Sequence, residues 1–115
     1  MKITVIGSGY VGLVTSLGFA SKNLKVTNVD LNKNKVQDII RKKPKIYEPG
    51  LNKILSEEIN KNYFITSDYS DCIQSDCIFV AVNTPDKKSG IDLSYLISSC
   101  KKIMSLIKEK KVKKK

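Results

Sequence analysis

Short runs of β-branched and aromatic residues alternate along the chain with longer segments whose apolar positions recur at helical spacing. The first run, residues 3–6, predicts a β-strand that ends at Gly7, and a helical pattern follows from Tyr10 to about Lys22. Within that helix, Gly12 and Gly18 are expected to allow close approach to a sheet. Further strands are predicted at residues 25–30, 63–66 and 77–82, and further helical segments at 36–40, 51–59, 68–73 and 93–107.

This order of elements predicts the fold class. Strands that alternate with helices form a parallel sheet with right-handed crossovers, so we expect an α/β protein with a Rossmann-like, doubly wound parallel sheet. We expect an incomplete sheet, with about four strands in the order 3-2-1-4. The last strand, residues 77–82, is continuously apolar, as expected for a strand covered on both faces. The segments 42–50 and 83–90 are predicted to be irregular.

Composition is that of a globular protein, with 41% hydrophobic and 28% charged residues, and 115 residues make one domain or part of one. The formal charge of +10 comes mostly from residues 101–115, which contain eight lysines and one glutamate. We therefore expect residues 1–108 to form the folded domain and residues 109–115 a solvated, lysine-rich tail. Binding to nucleic acid is the alternative, but no aromatic-rich sheet or recognition helix accompanies the charge.

The cysteine pattern and the amino terminus predict a cytoplasmic protein. Cys72, Cys77 and Cys100 form no CxxC pair, and the chain contains no histidine, so a disulfide framework and a metal site are both unexpected. Cys77 is expected to begin the fourth strand, Cys72 to lie on a surface turn and Cys100 on the apolar side of the last helix. No apolar run is long enough to span a bilayer, and the first residues do not form a signal peptide.

Three glycines directly after the first strand carry the clearest chemical signal. Gly7, Gly9 and Gly12 have the GxGxxG spacing, open a helix and are followed by Asp30 at the end of the second strand. Gly7 would permit a tight turn, Gly9 would leave room for a pyrophosphate, and Gly12 would let helix and strand pack closely. Asp30 would accept hydrogen bonds from a ribose and repel a 2′-phosphate, which favours NAD over NADP; FAD-binding proteins share the pattern.

A second polar segment, Val82-Asn83-Thr84-Pro85, follows the fourth strand. In a sheet of order 3-2-1-4, strands 1 and 4 are neighbours whose connections leave in opposite directions, and ligands bind in the crevice between their carboxyl ends. The glycine loop and the loop at Asn83 are thus expected to be the two sides of one crevice. An ordinary polar turn that ends at Pro85 is the alternative.

With these segments placed, the chain resembles the UDP-glucose/GDP-mannose dehydrogenase family over nearly its whole length. The matching stretches are Gly7-Ser8-Gly9-Tyr10-Val11-Gly12, Val29-Asp30 with Lys35 five residues later, Ile46-Tyr47-Glu48-Pro49-Gly50-Leu51 and Val82-Asn83-Thr84-Pro85. The resemblance implies NAD as the cofactor. The residues expected to bind it are Gly7, Gly9, Tyr10, Val11, Gly12, Asp30, Lys35, Val82, Asn83, Thr84 and Pro85.

The resemblance also implies an activity that this chain would not perform alone. Family members oxidise the C6 alcohol of a nucleotide sugar to a carboxylate with two NAD, and a cysteine traps the second stage as a thioester. The central helix, the sugar-nucleotide domain and that cysteine are expected to be absent here, so we predict an inactive NAD-binding portion with no catalytic residues. Full-length members are expected to be homodimers.

The choice of sugar stays open between three nucleotide sugars. The segment Tyr47-Glu48-Pro49-Gly50 favours UDP-glucose, with GDP-mannose or an N-acetylhexosamine nucleotide as alternatives. Outside enzymology, a free-standing NAD-binding module and a basic nucleic-acid-binding protein are the remaining hypotheses.

Overall fold

A computed structural model of the chain describes residues 1–113, apart from the side chains of residues 71 and 110–113. The strands and helices follow one another as the hydrophobic pattern predicts. They are β1 (Lys2–Ile6), α1 (Tyr10–Ala20), β2 (Lys25–Val29), α2 (Lys33–Ile40), α3 (Leu51–Glu58), β3 (Tyr63–Thr66), a 3-10 helix (Tyr69–Gln74), β4 (Cys77–Val80), β5 (Asp86–Lys87), β6 (Gly90–Ile91) and α4 (Ser94–Lys113).

Four parallel strands form the main sheet in the order β3-β2-β1-β4, which confirms the predicted fold class and strand order. In register, Ile3 on β1 lies opposite Val26 on β2 and Cys77 on β4. The short strands β5 and β6 pair as an antiparallel hairpin, so the segment predicted as loop from residue 83 to 90 contains regular structure. Because the strands of the main sheet are parallel, the carboxyl ends of β1, β2 and β4 meet at one edge, where the polar loops emerge.

Helices cover both faces of the sheet, as the term doubly wound requires. One face packs Val5 and Tyr63 against Leu13 and Leu17 of α1 and Leu55 of α3. On the other face, the sheet packs against the 3-10 helix and α4 through a smaller cluster of buried side chains, Ile6, Val29, Tyr69, Cys72 and Ile103. Successive residues of a strand point to opposite faces of the sheet, so Val5 belongs to the first cluster and Ile6 to the second.

Two local expectations are wrong. Cys72 is fully buried and does not lie on a surface turn, because the 3-10 helix turns Tyr69 and Cys72 inward onto β2 and α4. Gly18 faces solvent, and a Cβ at this position would meet nothing within 4 Å, so only Gly12 brings α1 close to the sheet. Cys77 does begin β4, as predicted, and Cys100 is exposed.

Helix α4 continues to Lys113, so residues 109–113 of the predicted lysine-rich tail are helical. Residues 114 and 115 of that tail lie outside the described residues. The boundary at residue 108 stays a prediction. Within residues 1–113, none of the helices combines the length and the apolar character needed to cross a membrane.

Candidate dinucleotide-binding site

A crevice of about 660 Å³ opens at the carboxyl ends of β1, β2 and β4. It lies where the strand order reverses direction, which is the usual ligand position in doubly wound sheets. Its lining consists of Ile6, Gly7, Ser8, Gly9, Tyr10, Val11, Val29, Asp30, Leu31, Asn32, Tyr69, Ala81, Val82, Asn83, Thr84, Tyr95, Ser98 and Ser99.

Gly7 forms the turn that leads from β1 into the crevice. Its φ of 104° lies in the region that favours glycine, and its amide donates a hydrogen bond to the carbonyl oxygen of Val29 at 2.7 Å. A Cβ at residue 7 would lie 2.9 Å from the carbonyl carbon of Ala81, so a larger residue would push β1 away from the end of β4. The absence of a side chain at Gly7 therefore brings the two sides of the crevice together.

Gly9 and Gly12 have different surroundings, as their predicted roles require. A Cβ on Gly12 would overlap the carbonyl group of Gly7, whereas a Cβ on Gly9 would meet no protein atom within 4 Å. Gly9 precedes α1 and no side chain caps the helix start, so the first-turn N–H groups lack intrahelical partners. Open space beside these donors and the positive end of the helix dipole suits an anion such as a pyrophosphate.

Asp30 is held at the crevice wall by three hydrogen bonds. Its Oδ2 accepts from the amide of Ser8 at 2.9 Å and from the hydroxyl of Ser8 at 2.6 Å, and its Oδ1 accepts from the amide of Asn32 at 2.9 Å. A carboxylate has about four lone-pair sites, so acceptor capacity remains for ribose hydroxyls. The half-buried Asp30 is thus anchored and still able to receive a ligand.

The loop after β4 supplies the opposite side of the crevice. Val82, Asn83 and Thr84 all line it, as predicted, and the polar pair Asn83 and Thr84 is exposed. Pro85 does not line the crevice: its carbonyl oxygen accepts from the amide of Asp92 at 2.7 Å and ties the loop to the segment before α4.

Two other predicted site residues also lie outside the lining. Gly12 lies beneath the glycine loop, and Lys35 is an exposed residue of α2, the helix that Asn32 caps. The structure thus brings eight of the eleven predicted residues together in the lining, and Gly12, Lys35 and Pro85 are not part of it.

Several residues of the crevice were not predicted from the sequence. The motif does not point to Ser8, because this residue occupies a variable position of the GxGxxG pattern. Tyr69 and Ser99, whose hydroxyl oxygens lie 3.2 Å apart, come from the 3-10 helix and α4, and the amphipathic pattern of those segments gives no sign of a site.

Another unpredicted contact joins Tyr10 to Glu48 at the rim. The hydroxyl of Tyr10 donates to Glu48 Oε2 at 2.7 Å, and this bond, followed by the carboxylate charge, raises the pKa of Tyr10 above its ordinary value.

Together these features define a dinucleotide-binding domain of the doubly wound type. A turn that only glycine tolerates, an open patch of main chain at a helix start and an anchored acid after β2 fit the pyrophosphate and the ribose of such a ligand.

Comparison with known proteins gives the family. The sequence profile of the UDP-glucose/GDP-mannose dehydrogenase family, NAD binding domain, matches residues 1–113, so the chain belongs to this family and corresponds to its NAD-binding domain. The family indicates that the dinucleotide is NAD.

Individual relatives agree with this assignment. The chain is 40% identical over 108 residues to the uncharacterized protein MJ1054 of Methanocaldococcus jannaschii, covering 93% of this chain and 12% of that protein. It is 35% identical over 111 residues to the UDP-glucose 6-dehydrogenase YwqF of Bacillus subtilis, covering 94% and 25%. The structure of GDP-mannose dehydrogenase from Pseudomonas aeruginosa superposes with a TM-score of 0.89 at 34% identity, covering 96% and 26%. The chain therefore spans about a quarter or less of the length of these relatives.

Proposed function

We propose that the crevice binds NAD with its pyrophosphate against the main chain at Gly9 and the start of α1, and with its adenosine ribose on Asp30. The observation that carries this proposal is the carboxylate of Asp30, anchored by Ser8 and Asn32 beside main chain that has no side chain at Gly9. Tyr10, Val11, Val82, Asn83 and Thr84 would contact the rest of the dinucleotide. Gly7, Gly12 and Pro85 would shape the loops, and Lys35 would act from α2 near the ribose.

The charge of Asp30 also supports a preference between the two nicotinamide coenzymes. A 2′-phosphate on the ribose would place a second negative charge beside the carboxylate, in a partly buried position where such repulsion is weakly screened. We therefore expect NADH to bind more tightly than NADPH.

Fluorescence titration of the 115-residue chain with NADH tests this proposal. The Asp30→Ala variant should bind NADH at least about tenfold more weakly, since a charge-assisted hydrogen bond contributes about 1.5–3 kcal/mol. Asp38→Ala is the matched control, because Asp38 is a carboxylate of α2 that does not line the crevice. Failure of the chain to bind NADH, or equal affinities for the chain and the Asp30→Ala variant, would contradict the proposed site.

We also propose that this chain is the cofactor-binding part of an enzyme that oxidises a nucleotide sugar. UDP-glucose is the first candidate for that substrate. NAD accepts the hydride in such a reaction, and the residues of this chain bind and orient it. Similarity to a UDP-glucose 6-dehydrogenase supports this substrate, and similarity to the GDP-mannose dehydrogenase structure supports GDP-mannose as the second candidate. A cytoplasmic location and a homodimer of the full-length enzyme remain predictions.

The DNA that follows the codon for Lys115 provides a test of this enzymatic assignment. The family resemblance implies that the next segment is a strand ending in a Ser-Thr-Val-Pro signature. Such a strand and a later cysteine, in any reading frame, would support a nucleotide-sugar dehydrogenase. A mixture of the 115-residue chain with NAD and UDP-glucose should form no NADH, because we place no catalytic residue in it. NADH formation by the purified chain would contradict that placement.

A further inference from the structure

A chain of buried polar groups runs beneath the glycine loop and belongs to none of the motifs described above. The hydroxyl of Tyr63, on β3, donates to Asn28 Oδ1 at 2.8 Å. Asn28, on β2, donates through Nδ2 to the carbonyl oxygens of Gly7 at 2.8 Å and Val5 at 2.9 Å. The side chains of Asn28 and Tyr63 are both fully buried, so this relay lies in the core, directly under the crevice.

The relay ends on a peptide group whose other side faces Asp30. In the trans peptide between Gly7 and Ser8, the C=O and N–H groups point in opposite directions. Asn28 donates to the C=O group, and the N–H group of Ser8 donates to Asp30 Oδ2 at 2.9 Å. This peptide is therefore held from below by Asn28 and from above by the carboxylate at the crevice wall.

We propose that Asn28 is a positioning residue for the dinucleotide site. Its hydrogen bond fixes the carbonyl group of Gly7, and this orients the amide of Ser8 toward Asp30. The amide of Ser8 in turn holds the carboxylate of Asp30 in position for the ribose. The inference rests on the proposed function of Asp30. Asn28 touches no ligand itself and acts only through the Gly7–Ser8 peptide.

Tyr63 determines which way the amide of Asn28 points. An amide group can be turned so that its nitrogen and oxygen exchange places, and a donor at one position selects the orientation with oxygen there. Burial, and next the negative charge of Asp30, raise the pKa of Tyr63 well above its ordinary value, so its hydroxyl keeps its proton and remains a donor. Tyr63 thus directs the Nδ2 donors of Asn28 toward β1 and the glycine loop.

An apolar side chain at position 28 would fill the core without needing hydrogen-bond partners. Asn28 shares a face of the sheet with the buried side chains of Val5 and Val26, and a buried amide is unfavourable unless all its groups are paired. Its three hydrogen bonds meet that requirement and simultaneously order the loop at the crevice. A positioning role accounts for an amide here, because an apolar residue of similar size offers no donor to Gly7.

The experiment compares three variants of the 115-residue chain in NADH binding, NADPH binding and urea unfolding. Asn28→Ala removes the donors to Gly7. The double variant Asn28→Ala/Tyr63→Phe also removes the hydroxyl that the first change leaves unpaired, and it should recover part of the lost stability. Thr4→Val is the matched control, because Thr4 is a fully buried residue of β1 whose hydroxyl pairs with Ser75, away from the crevice.

Discrimination between the coenzymes separates positioning from simple structural support. In Asn28→Ala the carboxylate of Asp30 is no longer held in position, so the ratio of the NADPH to the NADH dissociation constant should fall about tenfold. The ratio should stay low in the double variant. Hydrogen exchange at the Ser8 amide should accelerate in both variants. Thr4→Val should lose stability and keep the ratio within about twofold.

Recovery of the ratio together with stability in the double variant would overturn the role of Asn28, and so would an unchanged ratio in Asn28→Ala. If Asn28→Ala does not fold, Tyr63→Phe alone should lower the ratio by about threefold, since the amide loses its orienting donor, and an unchanged ratio there would equally overturn the role. If the unsubstituted chain binds no NADH, the proposed function fails as well. Tight NADH binding with an unchanged ratio in the variants overturns only this inference.

Discussion

The carbonyl group of Gly7 lies against the Cα of Gly12, where a side chain would begin: a Cβ on residue 12 would lie 2.7 Å from the Gly7 carbonyl carbon and closer still to its oxygen. Both atoms belong to main chain, which cannot turn aside as the end of a side chain can. The start of α1 therefore rests directly on the turn that leaves β1. This contact sets how near the helix start comes to the crevice.

Substitution of Gly12 by alanine should consequently destabilise the fold. Overpacking against main chain costs about 1–3 kcal/mol, and the Gly12→Ala variant should lose at least this much free energy of unfolding in urea. Gly18→Ala is the matched control in the same helix, because Gly18 is exposed and a Cβ there meets nothing within 4 Å. That control should gain about 0.5–1 kcal/mol from helix propensity, and equal effects of the two changes would contradict the packing described here.

Gly9 provides the opposite case, in which the fold tolerates a methyl group and the ligand does not. Its φ of −72° is accessible to alanine, and its Cβ would project into open space. The Gly9→Ala variant should lose no more than about 1 kcal/mol of its free energy of unfolding, which is the cost of alanine in place of glycine at a helix N-cap. It should bind NADH about tenfold or more weakly, because the methyl group occupies the place proposed for the pyrophosphate. Unchanged NADH affinity in a folded Gly9→Ala variant would place the pyrophosphate elsewhere.

These two glycines show why much of the site was predictable from the sequence. The GxGxxG spacing after a strand specifies a local geometry, and the rule for parallel crossovers then places the loop after β4 beside it. Gly7, Asp30 and Asn83 could therefore be assigned to one crevice with no knowledge of side-chain packing, and all three line it. Their contact with the cofactor stays a prediction. The order β3-β2-β1-β4 follows from the same rules.

Contacts between distant segments could not be predicted in this way. Asn28 and Tyr63 lie 35 residues apart, and Tyr10 and Glu48 lie 38 residues apart. Such pairs depend on the separation and register of β2, β3 and the loop before α3, which hydrophobic periodicity does not specify. An asparagine among the apolar residues of β2 was the available signal, since a core-facing amide requires partners.

The Tyr10–Glu48 hydrogen bond leads to a prediction about titration. Its donation to the carboxylate, and next the carboxylate charge, raise the pKa of Tyr10 above 10.0. Because the folded pKa exceeds the unfolded one, the stabilising contribution is complete below pH 10.0 and is lost as the pH rises through the folded pKa. Glu48→Ala should lower the pKa of Tyr10, and Glu48→Gln, which keeps an acceptor without the charge, should give an intermediate value.

Ultraviolet difference titration measures this effect, with Tyr10→Phe as the reference that identifies the Tyr10 signal among the five tyrosines. Identical titration curves for the unsubstituted chain and Glu48→Ala would show that the rim contact does not persist in solution.

The edge strand β4 leads to a prediction about association of the 115-residue chain. Within the described residues β4 pairs only with β1, so its other side presents unpaired backbone groups beside the half-exposed ring of Phe79, and α4, which packs on it, exposes Ile97 and Met104. Such an edge pairs readily with another strand, and we expect concentration-dependent dimers in sedimentation experiments. The net charge of +10 opposes this association, so added salt should strengthen it.

A lysine at position 79 should weaken the association, because a charge on an edge strand disfavours further pairing. Phe64→Lys is the matched control on the opposite edge strand, β3, where Phe64 is 38% exposed against 40% for Phe79. Association through β4 predicts that only Phe79→Lys shifts the chain toward monomers. Equal shifts in both variants would indicate general hydrophobic association, and a monomer whose unfolding midpoint does not change with concentration would contradict pairing at this edge altogether.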